Sequence, residues 1–284
     1  MKNFLKYFFS IMLMCSCLIV VSMFAYKTLF IDNKTPDGPG ADNVTNEEDT
    51  DTGEKNPEAA QEEPVDKVPA PDDAPFVTAD SSYFKDALFI GDSRTVGLHE
   101  YGQIEGADFF ASTGMNVYKV RDESVEVAGV GKVTLEQLLS TKHYGKIYLM
   151  LGINELGYNM EQTIGKYKEL VDWLTEKNPD GILFIQANLH VAAARSDTDG
   201  TFNNKRINQF NKSISEFIDN KKVFYIDVNS LFDDEKGNLK AEYTSDNTHI
   251  YAKHYVEWRD WLLSKAILPK GADIQEEEES SQDV

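Results

Sequence analysis

A serine, a histidine and an aspartate in this sequence are of the types that acyl transfer requires, and the histidine and the aspartate stand close together in the chain. Ser93 follows Gly91 and Asp92 directly after an apolar run, and His249 stands three residues after Asp246. A serine hydroxyl is a poor nucleophile at neutral pH unless an adjacent base takes its proton. A carboxylate beside an imidazole base orients it and stabilises its charged form. The pattern therefore predicts a nucleophile, Ser93, a base, His249, and an orienting acid, Asp246.

The same chemistry needs hydrogen-bond donors fixed in advance around the developing oxyanion, each worth about 10²–10³ in rate. The candidates are the backbone N–H groups of Ser93 and Gly114 and the side-chain amide of Asn154. Gly114 suits this role because no Cβ would obstruct the close approach of its N–H. Each of these short motifs is weak evidence alone. Their order and their positions after predicted strands make the set informative.

The elements that must position these residues follow from hydrophobic patterning. Four continuous apolar runs predict strands buried on both faces of a sheet; they span 87–90, 146–151, 182–185 and 223–226. Apolar residues at helical spacing lie between or after them, within 135–139, 164–174, 207–218 and 255–262. Strands alternating with helices indicate a parallel sheet covered on both sides. Chemistry in such sheets gathers at the carboxyl ends of the strands.

The chain resembles the SGNH hydrolase superfamily, also called GDSL esterases, over about residues 86–265. The resemblance rests on four blocks, at 89–97, Gly114, 152–154 and 246–249, with Tyr255 and Trp258 after the last. It implies a flavodoxin-like αβα sandwich with a central parallel sheet of about five strands. It also implies a Ser93–His249–Asp246 triad and an oxyanion hole formed by Ser93, Gly114 and Asn154. The resemblance implies no metal and no organic cofactor.

Two residues depart from the family pattern. Arg94 stands where the family name has Leu, and Glu155 stands where many members have Asp. We therefore expect the packing of the Glu155 loop to differ from that in other members. Arg94, facing the cleft, and Arg195, in an Ala-rich loop, are the candidate substrate-binding residues.

Charge divides the chain unevenly. The formal charge of the 284 residues is −20, to which residues 1–30 contribute +3, residues 31–80 −12, residues 81–269 only −6 and residues 270–284 −5. Binding to phosphates needs a basic surface, so this balance argues against a nucleic-acid partner. The two cysteines, Cys15 and Cys17, leave the rest of the chain with no disulfide and no Cys/His metal cluster.

The ends of the chain predict a tethered domain. Residues 1–7 carry two lysines and precede an uncharged apolar run at 8–26, which is long enough to cross a bilayer with the remainder outside the cell membrane. A cleaved signal peptide is the competing reading, although no small-x-small cleavage site follows the run. Residues 27–80, acidic and rich in proline, predict a disordered linker. We expect residues 81–269 to form the hydrolase domain and residues 270–284 to form an acidic disordered tail.

These observations predict a membrane-anchored, extracytoplasmic serine esterase. The resemblance implies that the substrates are esters of small acyl groups. For a family member that is tethered to the cell surface, we expect an acetyl ester on a cell-surface glycan, or another acylated small molecule, as the substrate. An O-acyltransferase would use the same acyl-enzyme, and a lysophospholipase or thioesterase would keep the chemistry and change the pocket. A non-catalytic surface module that binds a glycan is the alternative from another class. Oligomeric state does not follow from the sequence.

Overall fold

The computed structural model describes residues 76–268. The predicted anchor at 8–26, the tail at 270–284 and nearly all of the linker lie outside this range. Within it, no helix is both long and apolar enough to cross a membrane.

Five parallel strands form the central sheet of the described region. In chain order they are β1 Ala87–Gly91, β2 Asp108–Ala111, β5 Lys146–Met150, β6 Ile182–Gln186 and β7 Val223–Ile226. The strands β3 and β4 form a separate hairpin. The spatial order of the five parallel strands is β2-β1-β5-β6-β7, which is the flavodoxin-like order of a doubly wound sheet. The predicted fold class is confirmed. The order reverses between β1 and β5, so the loops that follow these two strands diverge and leave a crevice.

Both faces of the sheet are buried, which explains the continuous apolar runs. Alternate residues of each strand enter one of two separate cores. On one face, aligned positions of the five strands form a row of aromatic rings, with neighbouring centroids 4.5–6.1 Å apart; the row is Phe109, Phe89, Tyr148, Phe184 and Phe224. Register is thereby fixed by stacking as well as by hydrogen bonds.

Seven α-helices lie in the described region. They are α1 Ser93–Tyr101, α2 Leu135–Thr141, α3 Met160–Lys177, α4 Ala193–Ser196, α5 Asn204–Ser215, α6 Asn229–Phe232 and α7 Tyr255–Leu263. Thr134 and Gln137 form a capping box at the start of α2, and Asn159 caps α3. The four predicted helical segments correspond to α2, α3, α5 and α7.

The patterning did not predict the antiparallel hairpin of β3, Ser124–Val127, and β4, Gly131–Thr134. Its first strand alternates exposed and buried residues. Gly129 in the turn and Gly131 at the start of β4 have φ values of +75° and +97°, which glycine adopts without strain.

The folded unit begins before its predicted start at 81. Val77 and Ala266 exchange backbone hydrogen bonds of 2.9 and 3.0 Å in an antiparallel bridge. The hydroxyl of Tyr83 donates to the carbonyl of Ile267 and accepts from its N–H. The two ends of the domain are thus paired with each other.

Candidate active site

The junction of β1 and α1 presents Ser93 at the carboxyl edge of the sheet. Strand β1 ends at Gly91, and Asp92 caps the helix by accepting a 3.0 Å hydrogen bond from the N–H of Arg94. Ser93 is the first helical residue, so its own N–H has no acceptor within the helix. That N–H is therefore directed out of the helix terminus, where partial positive charge favours an anion.

The structure brings the three predicted triad side chains together. The Oγ atom of Ser93 lies 2.9 Å from Nε2 of His249. The Nδ1 atom of the same ring lies 2.6 Å from Oδ2 of Asp246. Since Nδ1 donates its proton to the carboxylate, Nε2 is left as the acceptor for the serine proton, as nucleophilic activation requires.

Asp246 is anchored by the loop that carries it. Its Oδ1 accepts the backbone N–H groups of Thr248 at 2.9 Å and His249 at 2.8 Å, and the hydroxyl of Thr244 at 3.1 Å. Partial burial raises the pKa of this carboxyl, but the hydrogen bonds from His249 and Thr248 outweigh it and hold the pKa well below its usual range. Asn247, with φ of +63°, turns the loop so that the imidazole faces back towards the aspartate.

The predicted oxyanion donors lie on loops that meet. The amide of Asn154, in the short 3₁₀ turn Ile153–Glu155 after β5, donates to the carbonyl of Met115 at 2.9 Å. This contact joins Asn154 to the loop that carries Gly114. One of the two N–H bonds of the amide remains for another acceptor.

The structure adds a conformational reason for glycine at position 114. Gly114 has a φ of +80°, and a Cβ placed there would meet no protein atom within 4 Å. The residue is thus required by its left-handed backbone, at the third position of a turn closed by the Met115 N–H on the carbonyl of Ser112 at 3.1 Å.

The expectation that Arg94 faces the substrate cleft is wrong. Its side chain is 1% exposed. Its guanidinium binds both oxygens of Asp92, at 2.9 and 2.5 Å, and Oδ1 of Asn188 at 2.7 Å. Arg94 therefore neutralises the buried Asp92 beneath the nucleophile and is not available to a substrate.

Arg195 lies beside the triad loop, in α4. Its guanidinium donates to the hydroxyl of Thr248, the residue before His249. Its Nε is 3.5 Å from the carboxylate of Asp199, and its Cζ lies 4.8 Å from the centre of the Phe202 ring. With 31% of its side chain exposed, Arg195 keeps one side towards solvent, and its role in substrate binding stays a prediction.

Asn188 is a structural part of the site that the sequence analysis missed. It is 1% exposed, follows β6, accepts from Arg94 and donates to the carbonyl of Leu151 at 3.0 Å. It therefore ties the nucleophile segment to the end of β5. Its position three residues beyond the predicted strand at 182–185, at the edge where chemistry gathers, was the available signal.

Comparison with known proteins shows the family to which the chain belongs. Residues 89–255 match the model of the GDSL-like Lipase/Acylhydrolase family. No curated protein matches the chain. Similar solved structures include a GDSL-like lipase from Bacteroides thetaiotaomicron, 14% identical, with 66% of this chain and 89% of that chain covered and a TM-score of 0.48. An acetylxylan esterase from Geobacillus stearothermophilus is 15% identical, with 63% of this chain and 92% of that chain covered and a TM-score of 0.42.

The segment that matches the family model, residues 89–255, spans more than half of the chain. The chain therefore belongs to the GDSL-like Lipase/Acylhydrolase family of serine esterases.

Proposed function

We propose that the protein is a membrane-anchored, extracytoplasmic esterase that removes small acyl groups, acetyl above all, from a carbohydrate. The observation that carries the catalytic part is the hydrogen-bonded series Ser93–His249–Asp246, with its 2.9 and 2.6 Å contacts. The anchor and the outward orientation rest on the sequence of residues 1–26.

In the proposed reaction, Ser93 Oγ attacks the ester carbonyl while Nε2 of His249 takes its proton. The oxyanion forms against the N–H groups of Ser93, Gly114 and Asn154. Collapse expels the alcohol, which takes the proton from His249, and leaves an acyl group on Ser93. A water molecule, deprotonated by His249, then hydrolyses the acyl-enzyme and restores the serine.

A pair of exposed tyrosines supports a carbohydrate as the alcohol part. Tyr118 is 39% and Tyr158 53% exposed, and their ring centroids are 5.5 Å apart. Each stands four residues after a proposed oxyanion donor, which limits its Cα to about 14 Å from that donor. The hydroxyl of Tyr118 lies 3.0 Å from that of Thr163, which fixes its ring. Aromatic rings with a polar end suit a sugar, which has an apolar C–H face and hydroxyl edges.

Kinetics on two substrates test this function. An acetylated oligosaccharide and a small aryl acetate are given to the full chain and to Tyr158→Ala, with Tyr101→Ala as a control because Tyr101 is also exposed, at 46%. We expect Tyr158→Ala to raise KM for the oligosaccharide about tenfold, or about 1.4 kcal/mol, and to leave the aryl acetate unchanged. Equal effects on both substrates, or in both variants, would remove the support for a sugar.

Product analysis separates hydrolysis from transfer. Hydrolysis yields free acid and deacylated sugar even when a glycan acceptor is present. If the acyl group moves to the acceptor instead, the protein is a transferase and the hydrolytic proposal is wrong.

A further inference from the structure

Two consecutive side chains hold the loop that carries Gly114. The amide of Asn154 donates to the carbonyl of Met115 at 2.9 Å. The carboxyl Oε1 of Glu155 accepts the backbone N–H of Val117 at 2.7 Å. The side chains of one short turn thus fix the loop at two backbone groups, the C=O of Met115 and the N–H of Val117.

Glu155 lies in surroundings that are unfavourable for a carboxylate. It is 2% exposed, and no hydrogen-bond partner within residues 76–268 reaches its Oε2. The charged and titratable groups that face it are Asp92, Arg94 and Tyr167. Burial raises the pKa of Glu155 to about 7, with the Val117 N–H and Arg94 opposing and Asp92 reinforcing the shift. An apolar residue at position 155 would favour stability. The contact of the Glu155 carboxyl with the loop is therefore the better indication of why a carboxyl stands there.

We propose that Glu155 is a positioning residue of the oxyanion hole, which acts by holding Val117 so that the N–H of Gly114 is directed at the substrate carbonyl. The inference rests on the proposed function. The length of the side chain is essential, because aspartate is shorter by one methylene, about 1.5 Å, and its oxygen would leave hydrogen-bonding distance of Val117. On this proposal, the carboxyl is buried because its contact with the Val117 N–H requires it to lie in the protein interior.

The contact with Val117 should matter in the transition state more than in substrate binding. The Gly114 N–H bonds most strongly to the oxyanion, whose charge develops during the reaction. A misplaced donor therefore lowers kcat and leaves KM nearly unchanged. Removing a donor outright costs about 10²–10³ in rate, so partial misplacement should cost about 10–100-fold.

Three variants of the full chain separate reach from charge. Glu155→Gln keeps the acceptor and loses the charge, Glu155→Asp keeps the charge and loses the reach, and Glu155→Ala loses both. Asn178→Ala is the matched control, because Asn178 holds both backbone groups of Tyr144 at 3.1 and 2.7 Å and lies before β6, at the opposite edge of the sheet. Each is assayed for kcat and KM on an acetyl ester, well below its measured Tm.

We expect Glu155→Asp and Glu155→Ala to lower kcat by about 10–100-fold with KM within about threefold, and Glu155→Gln to recover kcat to within about fivefold of the native protein. Asn178→Ala should lower Tm and leave kcat unchanged. If Glu155→Gln loses as much as Glu155→Asp, or if kcat falls equally in Asn178→Ala, the proposal is overturned. Should Glu155→Ala fail to fold, the Asp and Gln pair decides alone. Absence of ester hydrolysis in the native protein refutes the proposed function instead.

Discussion

Replacing Glu155 with glutamine should change how the stability of the protein depends on pH. The pKa of Glu155 is raised from an ordinary value of 4.5 to about 7, chiefly by burial. Between these two values the folded state holds a proton on this group that the unfolded state has released. The native contribution of Glu155 is therefore largest in acid and declines as pH rises from about 4.5 to about 7. Glutamine cannot titrate, so its contribution is constant.

The size of the effect follows from the two pKa values. Each pH unit within the window changes the free energy of unfolding by about 1.4 kcal/mol, so the whole window is worth about 3 kcal/mol. Glutamine also buries an NH₂ group where Oε2 has no partner within the described residues, which costs about 1–3 kcal/mol at every pH. The informative quantity is therefore the change with pH in the difference between the two proteins.

Urea unfolding of both proteins between about pH 4.5 and 8 measures this change. Groups common to both proteins cancel in the difference. Glu176→Gln supplies the control for the loss of a carboxylate, because Glu176 is exposed. We expect Glu155→Gln to gain up to about 3 kcal/mol relative to the native protein as pH rises. A difference that stays constant, or that moves against the variant, would show that Glu155 does not exchange its proton in this window.

Three further predictions concern the surroundings of the site. Arg94→Leu should lower the free energy of unfolding by about 3–5 kcal/mol in urea, because it leaves the buried Asp92 carboxylate without its partner; a loss below about 1 kcal/mol would contradict this. Gly114→Ala should cost about 1–2 kcal/mol in the same assay through its φ of +80°, whereas an unchanged or higher stability would disprove the strain. His190 is buried, which lowers its pKa, but Asp233 at 2.8 Å outweighs burial and the net shift is upward, so its stabilisation is lost as pH rises through the raised value. The destabilisation by His190→Gln should therefore be greater near pH 5.5 than near pH 9, and the reverse order would be inconsistent with a raised pKa.

Short-range patterning predicted four of the five strands of the sheet, β1, β5, β6 and β7, because these strands are buried on both faces. A strand such as β5 exposes no face to solvent, so its sequence is a nearly continuous apolar run that differs clearly from a polar loop. The hairpin of β3 and β4 differs in this respect. Its alternation covers only the four residues of β3, and glycines follow at 129 and 131, so the pattern is weak until the partner strand is known.

The candidate triad could be predicted from sequence because Ser93 directly follows the end of a strand and because Asp246 and His249 stand three residues apart in one loop. The error at Arg94 has the opposite origin. Its second partner, Asn188, lies 94 residues away, and burial by a distant side chain leaves no local signal. The contact of Glu155 with Val117 spans 38 residues and was equally hidden. Sequence marked Glu155 only as a departure from the family pattern.

The central claim, that Ser93 and His249 act together on an ester, is tested most directly by kcat in three variants of the full chain. Ser93→Ala, His249→Ala and the double variant are compared with the native protein on one acetyl ester. Groups that act as a unit lose most of their effect when either is removed. We predict that each single variant lowers kcat by about 10⁴-fold or more and that the double variant is no slower than the singles. A Ser93→Ala protein within about tenfold of the native rate would contradict the account.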